Sequence, residues 1–188
     1  MGLGDVLFGR KKLKGPARDR LFALTTAAVT LDVSCGLKPA GAGALVFKPL
    51  SAGEFAQADA DAEQLVKSVA ESSGSTLERK KDTFGFEWAI VRDPDLDDQV
   101  TAVYAIANEL HERGFGGQLL AAVFRFDGGD EPAYWIYGFK TGTFWPFVPT
   151  SGEQRDNARE LQLKAQLEKE LPIEPDLTKW FALFGAPI

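Results

Sequence analysis

Apolar residues recur along this chain with two distinct periods, and the change from one to the other sets out the expected elements. Ser51 and Glu54 form an S-x-x-E capping box. Behind it Phe55, Ala58, Ala62, Leu65, Val66 and Val69 repeat at helical spacing to about Ser72. A second helix has Asp93 as N-cap and Pro94 as first residue; Leu96, Val100, Val103, Ala107 and Leu110 fall on one stripe, and Gly114 stops it. Elsewhere period two takes over. After a short helix from Pro16 to about Ala27, Val29, Leu31 and Val33 alternate with Thr30, Asp32 and Ser34. A Gly/Pro-rich turn (Lys38 to Gly43) then leads into the apolar run Ala44 to Phe47, a pattern that predicts a β-hairpin.

Further strands are expected over Thr76 to Lys80 and over Phe84 to Arg92, where Phe84, Phe86, Trp88 and Ile90 share one face. Three more cover about Gln118 to Phe126, Ala133 to Phe139 and Thr143 to Val148. Pro146 places the last of these at a sheet edge, because it has no N–H to give a neighbour. A charged helix from about Glu153 to Glu170, capped by Ser151 and Gln154, carries a thin apolar seam of Leu161, Leu163 and Leu167. A final short helix, Leu177 to Phe184, presents Leu177, Trp180, Phe181 and Phe184. The expected fold class is α+β: an antiparallel β-sheet with helices packed on one side. Residues 16–188 read as one domain with C-terminal helices from about 152, preceded by a mobile or docking segment over 1–15.

Composition narrows the function. With 188 residues, 45% of them apolar, there is material for one sizeable core. The only cysteine, Cys35, cannot form an internal disulfide, which fits a reducing, cytoplasmic setting. No run approaches the roughly 18 apolar residues of a membrane span, and the start lacks a secretory pattern. The net charge of −6 argues against a nucleic-acid partner. That charge is uneven, the first twenty residues being +4 and the rest −10. Leu3, Val6, Leu7 and Phe8 precede Arg10, Lys11, Lys12 and Lys14. Such a segment is either an ordinary terminus or one that docks on a partner or makes weak, reversible peripheral contact at the inner face of a membrane. Val6 stands where myristoylation needs Ser or Thr.

Candidate chemistry is sparse. The single histidine, His111, sits in the last turn of a helix, where a cation meets the helix dipole favourably. Asp93, Asp95, Asp97 and Asp98 fail the calcium-loop pattern, with Asp98 in place of its glycine and Tyr104 in place of its glutamate. Gly114, Gly116 and Gly117 follow a helix instead of opening one, the reverse of a phosphate cradle. No catalytic residue, cofactor or metal site is expected, and the chain reads as a protein-binding molecule, not an enzyme.

The most unusual stretch is aromatic. Tyr134, Trp135, Tyr137, Phe139, Phe144, Trp145 and Phe147 crowd into fourteen residues and supply both faces of a sheet. One face can be core; the other needs cover from this chain or from a partner. Trp135, Tyr137, Phe144, Trp145 and Phe147, with Trp180 and Phe181, are therefore candidate protein-binding residues.

The opening MGLGDVLFGRKK, the GTFWPF segment (Gly142 to Phe147), the run GEQRDNARELQ (Gly152 to Gln162) and the ending LPIEPDLTKWFALFGAP (Leu171 to Pro187) resemble the actinobacterial PspA-associated family PspAB. The resemblance implies association with PspA, the phage-shock protein of stressed inner membranes, or with a related component. It carries over no catalytic residue. It also marks Arg155, Asp156 and Asn157 as surface or docking candidates, with helix capping the alternative for the last two. Element order and aromatic strands further resemble the type III secretion chaperone-like fold. That likeness implies a second expectation, a homodimer shielding a client segment.

Overall fold

A computed structural model of the chain describes residues 17–49 and 74–188, together with 64, 67 and 68. A 3₁₀ turn (Ala17–Phe22) runs into α1 (Ala23–Cys35), followed by β1 (Lys38–Phe47), β2 (Thr76–Lys81), β3 (Glu87–Arg92) and α2 (Leu96–Leu110). Then come β4 (Leu119–Asp127), β5 (Ala133–Gly138), β6 (Thr143–Phe147), a two-stranded ladder of β7 (Pro149–Thr150) and β8 (Gln154–Arg155), and α3 (Asn157–Leu167). Six strands form one antiparallel sheet in the order β2, β3, β1, β4, β5, β6. The architecture is α+β, as the alternating periods predict, and β6 lies at the edge that Pro146 requires.

The sheet separates two cores. Leu45, Val91, Phe124, Trp135, Tyr137 and Phe144 face the helices, meeting Leu24 and Leu31 of α1, Val100 and Val103 of α2, and Leu163 and Leu167 of α3. Strand alternation sends Val46, Trp88, Ile90, Ile136, Trp145 and Phe147 to the opposite face. There the cover is residues 180–188, a strap without regular structure that buries Trp180 and Ile188 against the sheet. All described helices thus pack on one side.

Several expected elements are corrected. The alternation from Val29 to Ser34 is helical, because Leu24, Ala27, Leu31 and Cys35 are buried at spacings of three and four while Val29 and Val33 are 70 and 80% exposed. Leu31 satisfies both periods, and packing against α3 chose the helix. The predicted hairpin is therefore absent. The Gly/Pro turn instead forms the start of β1, which lies between β3 and β4, with its register against β4 broken between Pro39 and Gly43. Helix α1 stops at Gly36, whose left-handed backbone (φ 68°) sends its N–H back to Asp32. Gly128 lies so close that any Cβ there would run into the Gly36 carbonyl.

The cap of α2 is Asp95, two residues later than expected: its carboxylate accepts from the Asp97 N–H. Asp93 is instead buried, accepting from the Asp95 N–H and the Ser75 hydroxyl. All five predicted stripe residues of α2 are buried. The helix then passes into a turn (His111–Phe115) closed by Gly114 at φ 89°. Helix α3 begins at Asn157, not Glu153, because Gln154 and Arg155 pair with Pro149 and Thr150 first. The final helix shrinks to the 3₁₀ turn Leu177–Lys179. Between β2 and β3, the Asp82 carboxylate accepts from the N–H groups of Phe84 and Phe86 and from the Trp88 indole, so Trp88 and Ile90 face the strap side while Phe84 is left in solvent. Of the helix expected behind Ser51, only 64, 67 and 68 are described, all helical; its remaining residues and the N-terminal segment lie outside the described residues.

Candidate functional site

The chain leaves β6 at Phe147, makes the β7/β8 turn through Gly152 (φ 71°) and Glu153 (φ 55°), and returns beneath the sheet to start α3. Asp156 caps that helix by accepting from the Arg159 N–H at 2.9 Å, while its own N–H donates to Val148 O. This places Arg155 at the junction of sheet, helix and strap.

There Arg155 touches all three. Its Nε donates to both oxygens of Glu160 at 2.9 and 3.0 Å, one terminal nitrogen approaches Oε2 at 2.8 Å, and the other donates to the Trp180 carbonyl at 2.8 Å. Its guanidinium carbon stands 5.3 Å from the centre of the Phe147 ring. Glu160 also accepts from the Val148 N–H and is 2% exposed. Burial holds its carboxyl above the ordinary glutamate range, against the opposing pull of Arg155 and of the Val148 N–H. A buried ion pair of this kind fixes geometry more than it adds net stability.

Beside the pair opens a shallow hollow of about 160 Å³ lined by Arg155, Asn157, Glu160, Leu161, Leu177 and Trp180. Leu161 and Leu177 are 47 and 49% exposed, and Phe181, next along the strap, is 66% exposed. Phe181 leans edge-on against Trp145, 6.5 Å between ring centres, while its carbonyl accepts from the Trp145 indole N–H at 3.1 Å. The ionic groups in the hollow are paired with each other, so what it offers outward is apolar surface with a polar rim at Asn157. Among the described residues no group of three His, Cys, Asp or Glu side chains stands close enough to hold a metal ion. Cys35 is buried, and burial raises its thiol pKa more than the nearby Arg159 charge lowers it. His111 is exposed at the end of α2.

The structure divides the sequence candidates. Trp135, Tyr137 and Phe144 are sealed in the helix-side core, and Trp145 and Phe147 in the strap-side core. The cover that the aromatic strands need thus comes from the chain's own helices and strap, the first of the two sources the sequence left open. Trp180 is buried as part of that cover, and Phe181 alone of the described aromatic candidates is open. Arg155, Asp156 and Asn157 come together at the hollow as pin, cap and rim. Leu3, Val6, Leu7, Phe8, Arg10, Lys11, Lys12 and Lys14 lie outside the described residues.

Sequence reading missed Glu160, Leu161 and Leu177 as site residues. Leu161 was legible: two residues from Leu163, it cannot share a helical face with Leu163 and Leu167. Glu160 carried no such signal, since its burial depends on Arg155 arriving from outside the helix.

Fold and site together define an α+β protein on one six-stranded antiparallel sheet, clad by helices on one face and by its own strap on the other, with an apolar hollow where strap and helix meet. The chain belongs to the PspAB family, PspA associated protein B, which it matches over residues 1–188. No curated protein and no solved structure matches it; the likeness to a type III secretion chaperone therefore rests on element order and aromatic strands alone. No helix among the described residues is long and apolar enough to cross a membrane.

Proposed function

We propose that this chain is a non-enzymatic, protein-binding regulator or scaffold of an envelope-stress (phage-shock) system that associates with PspA or a related component through the hollow between α3 and the strap. The observation that carries this reading is the exposure of Leu161, Leu177 and Phe181 around a floor fixed by Arg155 and Glu160. Apolar side chains held open on a rigid base are the kind of ground that a partner's side chains cover. The association with PspA in the family's name supplies the first partner to try. The reactive groups nearby support a binding role, because Arg155 and Glu160 neutralise each other and Cys35 is buried.

Capture of PspA by the purified full chain, compared with a Leu161→Ser, Leu177→Ser, Phe181→Ser variant, tests the proposal. Capture by the original chain and at least tenfold weaker capture by the variant is the expected result. Equal capture by both would remove the hollow from the interface, and none by either would remove the partner.

A further inference from the structure

The strap reads as a peptide ligand that happens to be tethered. Residues 180–188 form no helix or strand, and sheet-side side chains hold them by their backbone carbonyls. Arg155 donates to Trp180 O at 2.8 Å and Trp145 to Phe181 O at 3.1 Å, while Arg125 and Tyr134 both reach Ile188 O at 3.4 Å. Trp180 and Ile188 then enter the aromatic face of the sheet. None of these contacts depends on which copy of the chain the strap belongs to.

The tether has the character of a hinge. Upstream, the Pro172 carbonyl accepts from the Phe144 N–H and the Glu174 N–H donates to Phe144 O, so residues 172–174 are fastened along the β6 edge. Downstream, Trp180 is buried. Between them Pro175, Leu177, Thr178 and Lys179 are exposed. Their polar contacts are local: Asp176 accepts from Thr178, and Lys179 lies near Asp176 and Glu174. A vacated face would open Trp88, Ile90, Trp145 and Phe147 to water, so the strap can leave only if an equivalent segment takes its place.

We propose that residues 180–188 exchange between two copies of this chain, each strap lying on the other copy's sheet, with residues 175–179 as the hinge. The second copy is the occupant because, among the described residues, the strap is the one segment that covers this face, and a second copy carries an identical strap. Closed monomer and exchanged dimer share the contacts between strap and sheet; what the exchange disrupts is the hinge turn, where the Trp180 N–H donates to Leu177 O and the Phe181 N–H to Lys179 O. The balance between them then rests on hinge length and protein concentration.

The test refolds an equal mixture of ¹⁴N- and ¹⁵N-labelled full chains at high concentration, separates dimer from monomer, and maps cross-links from a photoreactive residue at Phe181 to the Trp145 region. The expected dimer persists on dilution and joins a strap of one isotope to a sheet of the other. Deleting Leu177 and Thr178, so that the strap cannot fold back on its own sheet, raises the dimer fraction at least tenfold. Inserting five Gly/Ser residues after Asp176 lowers it, which keeps the test decisive if the shortened chain does not fold. Strap-to-sheet cross-links confined to one isotope, or a dimer fraction the same with the original and the lengthened hinge, would overturn the proposal. Neither outcome bears on PspA, which is absent from the experiment.

Discussion

The Arg155 guanidinium grips both carboxylate oxygens of Glu160, 2.9 and 3.0 Å from its Nε, five residues along the chain and across the first turn of α3. Through that pair and the Trp180 carbonyl, the edge of the sheet, the start of the last helix and the root of the strap are held at one point.

Removing Arg155 leaves Glu160 buried without its counter-charge. Arg155→Ala is expected to lower stability by about 3 kcal/mol at neutral pH, read from the urea midpoint at constant m-value. Burial already raises the Glu160 pKa, and losing Arg155 raises it further. Such a group contributes stability that is present below the unfolded glutamate range and lost as pH rises through the folded value. The destabilisation should therefore shrink toward pH 4, where Glu160 holds a proton. A penalty that stays constant across that range would contradict the assignment.

All three tyrosines have raised pKa values. Hydrogen bonding to Asp19 is the leading cause at Tyr104, and burial at Tyr134 and Tyr137. The unfolded chain gives up these protons first, so stability is intact below about pH 10 and falls as pH rises beyond it. Tyrosinate absorbance should lag behind that of free tyrosine and then rise together with loss of far-ultraviolet ellipticity. Smooth ionisation with the fold intact would count against the burial of Tyr137.

Cys35 should be a slow thiol in the native protein. Its side chain is buried, donates to Gln166 Oε1 at 3.3 Å and carries a raised pKa. Labelling by a thiol reagent at pH 8 is expected to follow the unfolded fraction as urea is added. Rapid labelling without urea would show the α1/α3 contact to be open.

Gly128→Ala should cost at least about 2 kcal/mol. The new methyl would meet the Gly36 carbonyl at a backbone φ of 150°. Gly117, where an added methyl meets nothing within 4 Å, serves as control; Gly117→Ala is expected within about 0.5 kcal/mol of the original in the same urea experiment.

Local sequence fixed much of the sheet and its aromatic content. Strands β2 to β6, the α2 stripe and the edge position of β6 were legible, because period two and a missing proline N–H act within a few residues, whereas the pattern predicts helix where β8 pairs with β7. Where the pattern was double-valued it misled. Val29, Leu31 and Val33 alternate like a strand, yet only Leu31 is buried, and helix against strand was decided by what α3 presents to α1: Arg159 donates to Cys35 O and Gln166 to Ser34 O.

The sequence by itself determined the α+β class, the family, and the presence of more aromatic surface than one sheet face can hide. Tertiary structure alone decided what hides it. The strap covers the second face through donors from strands and from Arg155 onto its backbone carbonyls, and those partners lie tens of residues away along the chain. The same long-range folding buried Glu160 and left Leu161, Leu177 and Phe181 open. A side chain's character is local, but its exposure depends on which distant segment arrives to cover it.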